Sequence, residues 1–317
     1  MKNKFTVIIG LLLIFICNSI TLAQLEKYYI CRTSENNTIL LEDHYTADKY
    51  FKETDNDSYL DYENLHTTLI KILKVNGIYQ EGKSTYYVDM KLSGFDKFTN
   101  IDLEDAFYLS APDEVYMRNV KGYAILLDDQ IGGGNMFYLI LDNYGVRGLT
   151  EYSNYFIASK KSDISRLDTT GVPDNEIIWK FKEIAEAMTP KSNMNDEYGN
   201  SDQGELKVFG GSFVIDKRMQ MRASKQYLVS YVKRTSFETY SSFVYVFDDQ
   251  GIKLGELSPL QVDSFYYSRI IGIVDVNGDN RSEILIETGY YEGNGLDLIE
   301  FDGEKFIMIA KGFDFGV

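Results

Sequence analysis

One stretch of nine residues near the C-terminus combines residue types and spacing that predict a particular chemistry. Residues 275–283, with the sequence DVNGDNRSE, lie between the apolar runs 270–274 and 284–286. In a tightly turning loop, the side chains at the first, third, fifth and ninth positions can converge on one point, and the carbonyl at the seventh position can join them. These positions are held by Asp275, Asn277, Asp279 and Glu283, with the carbonyl of Arg281 as the fifth donor. All five donors are oxygens, which Ca²⁺ prefers over sulfur or imidazole, so the sequence predicts a calcium site.

The turn within this stretch needs residues that accept a positive φ. Gly278 and Asn280 are the two candidates, since both residue types tolerate that conformation better than most. The same composition of Asp, Asn and Gly also occurs in ordinary solvated turns between strands, and that alternative stays open at this level. If a cation binds, we expect a structural role, because a hydrolytic metal would need an open position and a nearby base.

The stretch and its flanking strands resemble the calcium loop of FG-GAP or VCBS-type repeats, which form the blades of integrin-like β-propellers. The resemblance covers about the last fifty residues and implies that the five donors named above are the calcium ligands. The family usually has Gly where Asn280 stands and Asp where Glu283 stands. A complete propeller carries several such loops and this chain has one, so the resemblance implies a propeller-like C-terminal sheet only.

The first 23 residues have the pattern of a secretory signal peptide. Lys2 and Lys4 precede an apolar core from Val7 to Ile16, and Ala23 offers the cleavage site. No later stretch is long and apolar enough for a transmembrane helix. We therefore expect an exported product in the periplasm or outside the cell.

The amino-acid composition argues against some classes of binding partner. The chain carries 32 basic and 48 acidic residues, a formal charge of −16, which disfavours nucleic acid and anionic membrane surfaces. Cys31 is the only cysteine after residue 23, so the exported chain cannot form an internal disulfide. An unidentified protein or glycan is the partner class that remains.

Abundant aromatic and β-branched residues in alternating runs predict a mainly β fold of antiparallel hairpins and meanders. One amphipathic helix is predicted near residues 174–189, capped by Asp174 and ended by Pro190. Residues 55–64 are polar and acidic and predict a loop. Residues 65–75 could form a short helix or a strand, because their apolar residues fit neither period cleanly, and we interpret them as a strand. The predicted organisation is a signal peptide at 1–23, a β-rich domain at 24–191, a linker at 192–204 and a C-terminal β domain at 205–317.

The sequence offers no set of catalytic residues. His44 and His66 are the only histidines, and no nucleophile-elbow or zinc-protease motif accompanies them. The leading hypothesis is therefore an exported, non-enzymatic recognition or envelope-associated protein with a structural Ca²⁺. The alternative is a secreted hydrolase acting on glycans or phosphoesters, whose carboxylate pair would be hidden among many acidic residues.

Overall fold

The protein is built mainly of β-strands. A computed structural model describes residues 28–33, 39–42, 58–95, 101–127, 136–142, 155–188, 204–213, 225–234, 240–257, 267–290, 293–301 and 306–316. Within these ranges, fifteen strands and two helices are present, and the strands pair antiparallel throughout. The prediction of a mainly β fold of antiparallel hairpins and meanders is confirmed.

The helices are α1 (Ser58–Val75) and α2 (Asn175–Met188). The strands are β1 (Tyr28–Thr33), β2 (Ile39–Glu42), β3 (Thr85–Val88), β4 (Ala106–Ser110), β5 (Val115–Leu126), β6 (Met136–Leu141), β7 (Tyr155–Ser159), β8 (Glu205–Gly211), β9 (Gln226–Arg234), β10 (Tyr240–Asp248), β11 (Lys253–Leu257), β12 (Tyr267–Val274), β13 (Glu283–Tyr290), β14 (Gly293–Phe301) and β15 (Phe306–Gly316).

The strands form three sheets. A seven-stranded sheet has the order β3-β5-β4-β7-β1-β2-β6, and β5 pairs in addition with β6. Strands β8 to β11 form one four-stranded sheet, and β12 to β15 form another, each with sequence neighbours paired side by side. A single propeller blade has this four-stranded up-and-down form. The sheet orders establish meanders, and the propeller-like character of the C-terminal sheet stays a prediction.

The strand predicted at residues 65–75 is wrong, since this stretch belongs to α1. Leu69, Ile72 and Leu73 are buried on the helix, and their spacing of three and four residues places them on one face. They pack with Tyr86 and Phe107 in the core of the seven-stranded sheet. The polar residues before them, which were predicted to form a loop, belong to the same helix from Ser58 onward.

The predicted amphipathic helix is confirmed as α2. Phe181 and Ala185 are buried on its inner face, where Phe181 lies 5.3 Å from the rings of both Tyr227 and Phe247, centroid to centroid. The helix therefore packs on the sheet of β8 to β11. Lys180 also donates a hydrogen bond to the carbonyl of Asp249 in the turn after β10.

Asp174 caps the start of α2, as the sequence predicts. Its Oδ1 accepts hydrogen bonds from the amides of Glu176 at 2.9 Å and Ile177 at 3.5 Å. We expect Asp174→Ala to lower the free energy of unfolding by about 1 kcal/mol, because two helix amides lose their acceptor. Asp174→Ser should retain most of that stability. Urea unfolding of the three proteins measures both effects, and equal losses in the two variants would contradict the capping role.

The sheet of β12 to β15 is the central layer of the core. Leu285 and Leu298 face the seven-stranded sheet, where they pack with Ile30 and Tyr138. The neighbouring residues of the same strands face the other way, so that Ile284, Ile286 and Ile299 pack with Phe209, Leu228 and Val246. Because side chains alternate along a strand, this burial on both faces explains the continuous apolar run at 284–286. The linker predicted at 192–204 lies outside the described residues apart from Gly204, and the division it marks stays a prediction.

Candidate metal site between β12 and β13

The loop with the predicted calcium ligands joins two central strands. Strands β12 and β13 pair antiparallel, with Val274 opposite Glu283. Asp275 directly follows β12, and Glu283 is the first residue of β13. The pairing therefore brings the first and the last predicted ligands to the same end of the hairpin.

The carboxylate of Asp275 organises the turn. Its Oδ1 accepts hydrogen bonds from the amides of Asn277 at 3.3 Å and Gly278 at 2.7 Å, and its Oδ2 accepts one from the amide of Asn280 at 2.8 Å. Gly278 has φ 75° and Asn280 has φ 64°. The prediction that these two residues supply the positive φ angles of the turn is thus confirmed.

The middle ligands continue this pattern. Asn277 Oδ1 accepts the amide of Asp279 at 2.9 Å, and Asp279 Oδ1 accepts the amide of Arg281 at 2.8 Å. Asp279 Oδ2 pairs with the Arg281 guanidinium at 2.8 and 2.9 Å. Burial alone would raise the pKa of Asp279, but the hydrogen bonds and charge of Arg281 hold it below its ordinary value.

Glu283 is the unusual member of the set, because its side chain is an acid in the core. The residue is 1% exposed, and its Oε2 accepts a hydrogen bond from the Val276 amide at 2.9 Å. Burial raises the pKa of Glu283 to about 7, and the nearby charges of Asp279 and Asp275 add to that rise, whereas the amide hydrogen bonds oppose it. The loop thus contains three carboxylates, and the Arg281 guanidinium pairs with one of them.

The donor chemistry of the loop fits a hard divalent cation. Five oxygen donors are present in the loop, and burial raises the pKa of Glu283 although the charge of Arg281 interacts with it, since the ion pair of Arg281 is with Asp279. In the described part of the chain, no three His, Cys, Asp or Glu side chains converge closely enough to hold a metal between them. The carboxylates point instead at loop amides and at Arg281, so Ca²⁺ coordination would require these side chains to turn inward and to combine with Asn277 and the carbonyl of Arg281.

A segment distant in sequence supports this loop, and sequence reasoning missed it. The Ser165 amide donates to the Asp275 carbonyl at 2.7 Å, and the Asp275 amide donates to Ser165 Oγ at 2.8 Å. On the other side, the Ser282 amide donates to the Ser212 carbonyl at 2.9 Å. Ser165 and Asp275 are 110 positions apart, so no local sequence signal could have paired them.

Another buried acid has a conventional partner. Glu287 of β13 lies opposite Arg269 of β12 and forms an ion pair with its guanidinium. Arg269 also approaches Glu205 Oε2 at 3.7 Å. These ion pairs link two sheets. Glu287 differs from Glu283 because it forms a direct ion pair with an arginine. Of the two histidines, His66 lies on α1 and His44 lies outside the described residues.

Comparison with protein-family models gives no match for this chain, and comparisons with curated proteins and with solved structures give none either. Among the residues that the structure describes, no helix has the length and apolar character needed to cross a membrane.

Proposed function

We propose that this is an exported β-rich protein whose loop 275–283 binds one Ca²⁺ ion in a structural role. Its ligands would be the side chains of Asp275, Asn277, Asp279 and Glu283 and the carbonyl of Arg281, as the resemblance to FG-GAP or VCBS repeats implies. When bound, the ion would supply positive charge among the oxygen donors of the loop.

The observation that carries this proposal is the burial of Glu283 in a loop of oxygen donors. An ionised carboxylate with 1% exposure is costly unless a positive partner or several hydrogen bonds compensate for it. Arg281 forms its ion pair with Asp279, and its interaction with the charge of Glu283 is weaker. A divalent cation placed among the donors would compensate all three acids together.

A structural role agrees with the place of the loop in the fold. The loop connects the central strands β12 and β13, and its ends are hydrogen-bonded to Ser165 and Ser212 from two other parts of the chain. An ion that fixes this loop would stabilise the junction of the three sheets. The partner recognised by the protein would be a protein or a glycan, in line with the strongly acidic composition.

The site of action in this proposal is the periplasm, the cell envelope or the exterior. Its support is the pattern of residues 1–23, which lie outside the described residues. The exported protein should begin at Gln24, which N-terminal sequencing can test; an N-terminus at Met1 in exported material would contradict it.

Thermal unfolding with and without Ca²⁺ tests the structural role. At a Ca²⁺ concentration about 100 times Kd, binding should add about 2.7 kcal/mol of stability, and we expect Tm to rise by roughly 5 °C or more. The double variant Asp275→Ala with Asp279→Ala should show no rise.

A control with the same change in net charge is available at residues distant in sequence from the loop. Glu81 and Asp89 are exposed residues near β3, and Glu81→Ala with Asp89→Ala should respond to Ca²⁺ as the natural protein does. Equal Tm values with and without Ca²⁺ in the natural protein would rule out the proposed role.

A further inference from the structure

Residues 163–168, here called the latch segment, lie between the seven-stranded sheet and the loop 275–283. Towards the sheet, Ser110 Oγ of β4 donates to the Ser165 carbonyl at 2.7 Å, and the Leu167 amide donates to the Ala111 carbonyl at 3.2 Å. Ser110 itself is fully buried. One edge of the latch segment is therefore fixed to the end of β4.

The other edge of the latch segment is fixed to the hairpin that holds the loop. Asp168 and Ile273 exchange two backbone hydrogen bonds of 2.9 Å, and Ser165 exchanges two hydrogen bonds with the backbone of Asp275. A Cβ atom on Gly278 would lie 3.1 Å from Asp163 Cβ, so the turn of the loop also approaches the start of the latch segment. The latch segment therefore contacts the loop at Asp275, its first residue, and approaches it at Gly278, its fourth.

Apolar contacts hold the latch segment in the same place. Ile164 is 4% exposed and Leu167 is 1% exposed. Both belong to the apolar cluster that contains Val276 of the loop and Leu285 of β13. The latch segment cannot leave the loop without exposing this cluster.

We propose that cation binding at the loop 275–283 is coupled to the latch segment, and through it to the end of β4 in the seven-stranded sheet, with Ser165 as the positioning residue. This inference rests on the proposed calcium site, and it adds a structural consequence of calcium binding that can be measured in the latch segment. Asp275 would supply a ligand through its side chain, while its amide and carbonyl pair with Ser165. An ion that fixes Asp275 therefore also fixes the partner of the latch segment, and a well-placed latch segment holds Asp275 ready for the ion.

Hydrogen exchange of the whole protein measures this coupling. In the natural protein, Ca²⁺ should slow exchange in peptides that cover residues 163–168, and it should leave residues 85–88 of β3 unchanged, since among the described strands β3 pairs with β5 alone. Asp279→Ala removes a proposed ligand without touching the latch segment and should abolish the slowing.

A reciprocal measurement uses Ser165. The variant Ser165→Ala loses the acceptor of the Asp275 amide, so we expect Ca²⁺ affinity measured by calorimetry to fall by about five-fold, the loss that one hydrogen bond typically causes. Ser162→Ala changes a neighbouring exposed serine and should leave the affinity unaltered.

The outcomes separate the two proposals. Calcium binding without slowed exchange at 163–168, or with equal slowing throughout the protein, would overturn the coupling and leave the calcium site standing. Unchanged affinity in Ser165→Ala would remove Ser165 from its positioning role. An absence of calcium binding in the natural protein would overturn both proposals together.

Discussion

Replacing Glu283 with Gln should stabilise the calcium-free protein at pH 8 by about 3 kcal/mol and should also remove most of its stabilisation by Ca²⁺. The first effect follows from burial: the pKa of Glu283 is raised from 4.5 to about 7, and each pKa unit corresponds to about 1.4 kcal/mol. Gln keeps an oxygen that can accept the Val276 amide and carries no charge. The second effect follows because Ca²⁺ would lose a carboxylate ligand.

The pH dependence of this effect has a definite sign. A carboxyl group whose folded pKa lies above its unfolded value favours folding when protonated, so its contribution is fully present below about pH 4.5 and is lost as pH rises to about 7. The calcium-free natural protein and Glu283→Gln should therefore have similar stability near pH 4. They should separate progressively up to pH 7, with the variant above the natural protein.

Glu287→Gln is the matched control, because Glu287 is a second buried glutamate of the same strand. It pairs with Arg269, and neutralising it leaves that guanidinium without its main partner. We expect this variant to be less stable than the natural protein at pH 8. Urea unfolding in the presence of a chelator compares the three proteins. A Glu283→Gln variant that is less stable than the natural protein would contradict the view that burial makes the charge of Glu283 unfavourable to folding.

Phe181→Ala should lower the free energy of unfolding by about 3 to 5 kcal/mol, the usual cost of removing a buried phenylalanine side chain. Phe181 is 1% exposed, and its ring contacts those of Tyr227 and Phe247 across the interface of α2 with the sheet of β8 to β11. The truncation would leave a cavity between two aromatic residues that cannot close it without moving the helix.

Trp179 on the same helix provides the control. It is 62% exposed, and Lys182 Nζ lies 5.1 Å from its ring centroid. Trp179→Ala should cost less than about 1 kcal/mol. Chemical denaturation of both variants measures the difference, and equal losses would show that the inner and outer faces of α2 are assigned incorrectly.

The accuracy of the sequence predictions depends on how local each feature is. The turn at 275–283 was predictable because its Asx-type hydrogen bonds and positive φ angles involve residues within five positions of each other. Helix α2 was predictable because its N-terminal cap, its apolar face and the proline that ends it all lie within residues 174–190. The identity of the sheet beneath the helix was not predictable, since Tyr227 and Phe247 lie far along the chain.

Helix α1 shows the opposite case. Ile70, Ile72 and Val75 favour strand by intrinsic preference, and the helical spacing of Leu69, Ile72 and Leu73 is brief. The surface formed by Tyr86 and Phe107 buries that face, and tertiary packing of this kind outweighs local propensity. The role of the latch segment could not be predicted for a related reason. Its hydrogen bonds to Asp275 join residues that are distant in sequence and that only the folded chain brings together.

Calorimetric titration of the protein with CaCl₂ at pH 8 is the most direct measurement of the central proposal. We predict saturable binding of one ion per chain in the natural protein, and no binding when Asp275 and Asp279 are both replaced by Ala. Binding of equal affinity in the natural protein and the double variant, or an absence of binding in both, would contradict a calcium site in the loop 275–283.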